Sequence, residues 1–251
     1  MRNPLSKTIE QIKPSGIRKF FDIVSEMPHA ISLGVGEPDF DTPWHVRSEG
    51  IRSLEKGRTF YTSNSGLIEL RQEICKWYQR KYNVLYDYKT EALLTVGGSE
   101  GIDVALRAML DPGDEVIIPE PCYVSYVPCV QLIGAVPVTI EYQFRLTSEE
   151  LLAAITDKTK ILILAFPSNP TGAVMTKEDL EPIAKICQEK DIYVISDEIY
   201  SELTYGGQKH CSISSLPGMK ERTIVINGFS KAYAMTGWRL GYALAPEVIA
   251  H

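Results

Sequence analysis

The chain has 251 residues, of which 44% are hydrophobic and 23% charged, and this length allows one large globular domain and part of another. Its 26 basic and 32 acidic residues give a net charge of −6 without any dense run of lysine or arginine, which excludes a general nucleic-acid-binding surface. No apolar stretch approaches the ~20 residues of a membrane span, and the N-terminus lacks the apolar core of a signal peptide. We therefore expect a soluble cytoplasmic protein without a membrane or nucleic-acid partner.

The cysteines give no sign of a disulfide framework or a metal centre. Their number is odd, none forms a C-x-x-C pair and no histidine clusters with them; they are Cys75, Cys122, Cys129, Cys187 and Cys211. We expect reduced thiols and no bound metal.

Residues 1–40 differ in character from the rest of the chain. A helix is predicted over residues 15–26, and a Gly/Pro-rich segment follows over residues 34–38. We interpret residues 1–40 as an N-terminal arm with part of a smaller domain, and residues 41–251 as one large domain.

Short β-rich runs alternate with amphipathic helices through residues 41–251. Apolar residues with helical spacing predict helices around 67–77, 102–110 and 180–187, the last with Thr176 as its N-cap. The segment Asp111-Pro112-Gly113-Asp114 predicts a turn after the second of these helices. Seven apolar runs predict strands: Ala92–Val96, Glu115–Ile118, Val136–Ile140, Lys160–Leu164, Ile192–Ser196, Thr223–Asn227 and Leu240–Leu244.

This alternation favours an α/β fold with three αβα layers around a mainly parallel, seven-stranded sheet. In open sheets of this kind, ligands bind at the carboxyl ends of the strands. The polar residues that directly follow the predicted strands are therefore the candidates for a functional site.

Two of these segments suit an anion or a polar substituent. Gly98, Ser99 and Glu100 lie between a strand and a helix, where backbone N–H groups can face a phosphate, although a plain tight turn explains the glycines as well. Asn169 offers an amide that can donate to a ring oxygen or a carboxylate, although an Asn-Pro turn is an alternative interpretation.

An acidic and two aromatic residues also follow strands. Asp197, with Tyr200 three residues later, ends a buried run and requires a partner, such as a protonated pyridine nitrogen, a helix N-terminus or a structural ion pair. Tyr123 can stack on a planar ring or pack in the core.

Lys231 lies a few residues after a predicted strand, among serine, glycine and aromatic residues. A lone lysine is usually a solvated surface charge, whereas a desolvated lysine is a nucleophilic amine that can form an imine. Arg239, eight positions later, can hold a phosphate with two parallel hydrogen bonds. This combination favours a nucleophilic role for Lys231.

Together these segments resemble the class I/II aminotransferases of the aspartate aminotransferase fold, which are fold-type-I enzymes dependent on pyridoxal 5′-phosphate (PLP). The resemblance covers residues 34–245, and its most specific part, residues 230–239, is similar to the cofactor-lysine signature of the family. Asn169-Pro170-Thr171-Gly172 and Asp197-Glu198-Ile199-Tyr200 occur in the expected order. Residues 36–43 resemble the substrate-side loop of a subgroup with many aspartate and aromatic aminotransferases.

The resemblance implies a role for each candidate residue. Lys231 would bind the cofactor as an aldimine and then move a proton between the substrate Cα and the cofactor, while Asp197 would keep the pyridine nitrogen protonated. Asn169 and Tyr200 would hydrogen-bond the phenolic oxygen of the ring. The other implied contacts are ring stacking by Tyr123, phosphate binding by Gly98, Ser99, Glu100, Arg239 and the neighbouring subunit's copy of Tyr61, and substrate binding by Gly36 and Asn169.

The resemblance also implies a homodimer with shared active sites that moves an amino group between an aromatic or aspartate-like L-amino acid and a 2-oxo acid. The chain departs from the family at two points. Gly228 stands where some members carry a hydroxyl residue, and the family continues past residue 251 into a small C-terminal domain that supplies an arginine for the substrate carboxylate. We therefore expect that small domain to be absent. The alternatives are a C–S β-lyase of the same fold and a catalytically incomplete fragment.

Overall fold

The computed structural model describes residues 2–12 and 36–250, together with residues 23, 26, 27, 29 and 31. The helix predicted over residues 15–26 falls mostly outside the described residues, as do Gly34 and Val35.

One seven-stranded sheet organises the described residues. Its strand order is β1-β7-β6-β5-β4-β2-β3, in which β7 runs antiparallel to both of its neighbours and the other pairs are parallel. The bounds are β1 Ala92–Thr95, β2 Glu115–Glu120, β3 Val136–Glu141, β4 Thr159–Ala165, β5 Tyr193–Asp197, β6 Thr223–Gly228 and β7 Gly241–Leu244. All seven predicted strands are confirmed, with ends displaced by one or two residues.

Helices connect the strands and cover the sheet. Their bounds are α1 Lys7–Gln11, α2 Trp44–Glu55, α3 Ile68–Tyr82, α4 Gly98–Met109, α5 Tyr126–Ile133, α6 Ser148–Ala154, α7 Lys177–Glu189 and α8 Glu247–Ala250, with short 3₁₀ turns at Ile213–Ser215, Lys220–Arg222 and Thr236–Trp238. The predicted cap of α7 is confirmed, because Thr176 Oγ1 accepts a hydrogen bond from the Asp179 N–H over 3.3 Å.

Successive residues of each central strand face opposite sides of the sheet, and each side has its own apolar core. In β4, Ile161 and Ile163 pack with α4 and α5, whereas Leu162 and Leu164 pack with α6 and α7. The continuous apolar runs in the sequence follow from this double coverage. The structure confirms the predicted three-layer αβα fold with a mainly parallel sheet.

The strand order brings the carboxyl ends of β4, β5 and β6 together. Asp197 at the end of β5 is paired with Ala165 on one side and with Ile226 on the other. Strand β7 pairs Gly241 with Thr95, so the turn that leads into α4 lies beside the loop that follows β6. The residues after these strands therefore share one edge of the sheet.

Gly241 allows this close approach. A Cβ on residue 241 would lie 2.5 Å from the carbonyl carbon of Gly97 and 2.8 Å from the nitrogen of Gly98, both backbone atoms that cannot rotate away. We expect Gly241→Ala to lower the free energy of unfolding by about 1–3 kcal/mol, the usual cost of overpacking. Urea unfolding measures this change.

Gly237→Ala is the matched control, because a Cβ on residue 237 meets no atom within 4 Å. Equal urea midpoints for the two alanine variants would contradict the steric role of Gly241.

Candidate active site

Asp197 is the buried acidic group of the site, with 9% of its surface exposed. Its Oδ1 accepts a hydrogen bond from the Ile199 N–H over 3.1 Å, and its Oδ2 accepts one from the Tyr126 hydroxyl over 2.7 Å. Burial raises the pKa of Asp197, while these two hydrogen bonds oppose the rise. Both donors are neutral, so they do not neutralise the negative charge of the carboxylate.

Tyr126 is a site residue that the sequence interpretation missed. It is the first residue of α5, its side chain is 2% exposed, and burial together with the charge of Asp197 raises its pKa well above the ordinary value. Its ring lies edge-on to that of Tyr123, with centroids 5.6 Å apart. The sequence feature that could have identified Tyr126 is a second tyrosine three residues after Tyr123.

Asn169, Tyr200 and Lys231 come together beside Asp197. The Asn169 amide donates to the Tyr200 hydroxyl over 3.5 Å, and Lys231 Nζ lies 5.7 Å from the centre of the Tyr200 ring. Burial raises the pKa of Tyr200, and the charge of Asp197 adds to the rise. The phenol therefore stays protonated at neutral pH and can donate a hydrogen bond.

Lys231 presents its amine to the segment that contains Gly36. Its Nζ donates to the Gly36 carbonyl oxygen over 2.6 Å, and the Thr42 hydroxyl donates to the Ala234 carbonyl over 2.5 Å, which ties this segment to the loop that carries Lys231. Burial lowers the pKa of Lys231, Glu37 opposes this change, and Arg239 adds to it. A lowered pKa increases the share of neutral, nucleophilic amine at a given pH.

The N-terminus of α4 and Arg239 lie side by side and form a positively polarised surface. The N-cap of α4 is Gly97, which has φ +78° and no side chain to cap the free N–H groups. Arg239 donates to the carbonyl oxygen of Val96 over 3.5 Å, and a Cβ on residue 97 would collide with its guanidinium. A helix N-terminus beside an arginine is suited to a phosphate group.

The other residues predicted to contact the phosphate do not all lie at this surface. Gly98 and Ser99 open α4, but the Glu100 carboxylate folds back and accepts a hydrogen bond from the Val96 N–H, so only the backbone of Glu100 can face an anion. Tyr61 lies in the loop before α3 with its side chain fully exposed, and this chain does not bring it to Lys231.

Replacing Tyr126 with phenylalanine tests the Asp197–Tyr126 hydrogen bond. Hydrogen bonds to charged groups contribute about 1.5–3 kcal/mol, so we expect about 10- to 150-fold weaker binding of a ligand that pairs with the ionised Asp197 carboxylate. Loss of the bond also raises the pKa of Asp197 further, so ligand binding should fail at a higher pH than in the parent. Ligand titration by fluorescence from pH 5 to 9 measures both effects.

Tyr86→Phe serves as the control for Tyr126→Phe, because Tyr86 is a buried tyrosine on the opposite face of the sheet. The assigned role would be wrong if both variants gave the same affinity and the same pH dependence as the parent.

A model of the family described as "Aminotransferase class I and II" matches residues 28–251. The chain belongs to this family. The relatives and solved structures that it matches include aminotransferases named for different substrates.

Two curated relatives and one solved structure illustrate the range. The chain is 47% identical to aromatic-amino-acid aminotransferase 2 of Thermococcus litoralis over 97% of its own length and 64% of the relative's. It is 47% identical to aspartate aminotransferase of Pyrococcus abyssi over 98% and 64% of the two lengths. The solved structure, aspartate aminotransferase from Thermus thermophilus with maleate, superimposes with a TM-score of 0.93 at 40% identity over 99% of this chain and 66% of that one.

The chain thus spans 64% of the length of these two curated relatives. Membership of the aminotransferase family confirms the resemblance that was inferred from residues 34–245. It also confirms the fold that this resemblance implied. Among the helices of the described residues, none combines the length and the apolar character needed to cross a bilayer.

Proposed function

We propose that this chain binds PLP and contributes the catalytic lysine and the cofactor-binding residues of an aminotransferase. The observation that carries the proposal is the meeting of Lys231, Tyr200 and Asn169 beside the buried Asp197. We propose residues 41–251 as the cofactor-binding large domain and residues 1–40 as an arm with part of a smaller domain. The cytoplasmic location expected from the sequence stays a prediction.

The residues present fit the chemistry of PLP. Among the residues that the structure describes, only neutral groups donate hydrogen bonds to the buried Asp197, which is suited to a cationic pyridinium N–H. The surface formed by the N-terminus of α4 and Arg239 is suited to a phosphate dianion, and Cβ atoms on residues 97 and 241 would collide with the groups that form it. The half-buried Lys231 amine is suited to an aldehyde.

When bound, PLP supplies an aldehyde that captures amines and an electron-poor ring that withdraws electrons from the carbon beside a substrate amine. Lys231 then holds and moves a proton at Nζ as the general acid and base. The Asp197 carboxylate would favour the charged form of the ring nitrogen, and the Asn169 amide and Tyr200 hydroxyl would donate hydrogen bonds to the phenolic oxygen. Tyr123 would cover one face of the ring, and Gly36, whose carbonyl accepts a hydrogen bond from Lys231 Nζ, would lie beside the substrate.

For the substrates, we propose a 2-oxo acid and an L-amino acid of the aromatic or aspartate type. The support is the pair of relatives named for aromatic and for aspartate substrates at the same identity of 47%. We assign the binding of the substrate carboxylate to no residue of this chain.

We further propose a homodimer in which Tyr61 reaches the phosphate in the partner's site. Its support is the exposure of large apolar side chains from the start of α2 to the start of α3, which a second copy would cover. These side chains are Trp44 at 65%, Ile51 at 50%, Leu54 at 67%, Phe60 at 88%, Tyr61 at 106%, Leu67 at 47% and Ile68 at 49% exposure.

Reconstitution of the 251-residue chain with PLP tests the proposal. We expect visible absorption from bound cofactor, followed by release of one equivalent of 2-oxo acid when L-aspartate or L-tyrosine is added without an acceptor. If no cofactor absorption remained with the protein, the proposal that this chain binds PLP would be refuted. Bound cofactor without 2-oxo acid release would favour the catalytically incomplete fragment, and pyruvate release from cystathionine without an acceptor would favour the β-lyase alternative.

A further inference from the structure

Glu198 directly follows Asp197 at the end of β5, and its side chain is fully buried. Because successive residues of a strand face opposite sides, the two carboxylates point away from each other. Asp197 meets Tyr126 on the α5 side of the sheet, whereas Glu198 meets Tyr78 of α3 on the other side. Glu198 therefore lies behind the candidate active site and does not line it.

Four polar groups surround the Glu198 carboxylate. Its Oε1 accepts hydrogen bonds from the hydroxyls of Ser212 over 2.5 Å and Ser196 over 3.2 Å. Its Oε2 accepts one from the Tyr78 hydroxyl over 3.2 Å and lies 3.4 Å from His210 Nε2. A buried carboxylate is costly without such partners, so this cage offsets the desolvation of Glu198.

The backbone of Glu198 holds the turn that carries the active-site residues. Its N–H donates to the Ile226 carbonyl of β6 over 2.8 Å, and its carbonyl accepts from the Ser201 N–H over 2.9 Å. The turn enclosed by these bonds contains Tyr200. The caged side chain thus fastens the Asp197–Tyr200 segment to α3 and to residues 210–214, which lie on the far side of the sheet.

We propose that Glu198 is a positioning residue whose caged carboxylate fixes the turn that aims Asp197 and Tyr200 at the cofactor and at Lys231. The part of this inference that concerns the cofactor rests on the proposed function. The part that concerns Lys231 rests on the geometry of the protein alone. Burial is the main cause of the raised pKa of Asp197, and the neighbouring Glu198 carboxylate contributes to it in the same direction.

Two variants, Glu198→Gln and Tyr78→Phe, test the proposal, with Tyr86→Phe as the control. Tyr86 belongs to the same aromatic cluster as Tyr78, and its hydroxyl makes no hydrogen bond to Glu198. In PLP-loaded protein, we expect Glu198→Gln to weaken cofactor binding about tenfold and to reduce the visible circular dichroism of the bound ring. Tyr78→Phe should produce smaller changes in the same direction.

In cofactor-free protein, the readout is the rate at which acetic anhydride labels Lys231 relative to the exposed Lys177, followed by mass spectrometry. Release of the Tyr200 turn uncovers the amine, so the Lys231/Lys177 ratio should rise about threefold in Glu198→Gln and stay at the parent value in Tyr86→Phe. This arm gives an answer even if the parent chain binds no PLP, which would refute the proposed function alone.

Thermal unfolding of each cofactor-free variant separates positioning from general stability. A lower melting temperature with unchanged labelling ratio, circular dichroism and affinity would overturn the proposal, because a merely structural glutamate gives that result. The proposal would also be overturned if Tyr86→Phe changed the labelling ratio, circular dichroism and affinity as much as Glu198→Gln does. If Glu198→Gln does not fold, Tyr78→Phe decides alone, since it removes one hydroxyl and keeps the ring.

Discussion

We expect Lys231→Ala to abolish covalent attachment of PLP and to lower the rate of 2-oxo acid formation by more than about 10⁴-fold, because in the proposed function one residue supplies both the amine that captures the cofactor and the general acid and base. In the parent, borohydride reduction should leave the cofactor attached to the peptide that contains Lys231. In the alanine variant, the cofactor should dissociate on denaturation, which mass spectrometry of the intact chain detects.

Lys185→Ala provides the control for Lys231→Ala. Lys185 is an exposed lysine of α7 whose ion pair with Glu189 spans 3.7 Å, and such surface pairs contribute little to stability. Its replacement should leave cofactor attachment unchanged. Attachment that persists in Lys231→Ala, or that is lost equally in Lys185→Ala, would contradict the assignment of Lys231.

The acidity of Lys231 depends on its surroundings, and the sequence alone predicts only part of them. The position of Lys231 after a strand and eight residues before Arg239 is a local signal. The Gly36 carbonyl that accepts its hydrogen bond and the Tyr200 ring below it are contacts between distant parts of the chain. Segment order therefore nominates the candidate residues of the site, and tertiary packing determines the distances between them and the directions of their pKa shifts.

The fold, like the candidate site, is predicted by the sequence only in part. Apolar runs such as Ile161–Leu164 predict all seven strands, because strands covered on both faces exclude polar residues. The insertion of the antiparallel β7 between β1 and β6 is not predictable from those runs, since strand order depends on which faces pack together. Tyr126 was missed for a related reason: its partner Asp197 is 71 residues away in the sequence.

Asp197→Asn should weaken cofactor function and stabilise the cofactor-free protein at the same time. Asparagine can keep a hydrogen bond to the Ile199 N–H but carries no charge for the pyridinium. We therefore expect 2-oxo acid formation to fall about 10²–10³-fold, the usual loss when an aligned electrostatic contact is removed. PLP titration should show weaker binding, and Asp157→Asn, at an exposed turn, should change neither quantity.

The stability effect follows from the direction of the pKa shift. Burial raises the pKa of Asp197 in the folded chain, so the folded state binds a proton more tightly than the unfolded state and loses stability as Asp197 ionises. This loss is absent below the unfolded aspartate pKa of about 4 and complete above the raised folded pKa. Without cofactor, Asp197→Asn should therefore melt at a higher temperature than the parent near pH 8, and the two curves should converge near pH 4. A lower melting temperature for Asp197→Asn by the same amount at both pH values would show instead that Asp197 stabilises the fold, and that the site does not hold an uncompensated charge ready for the cofactor.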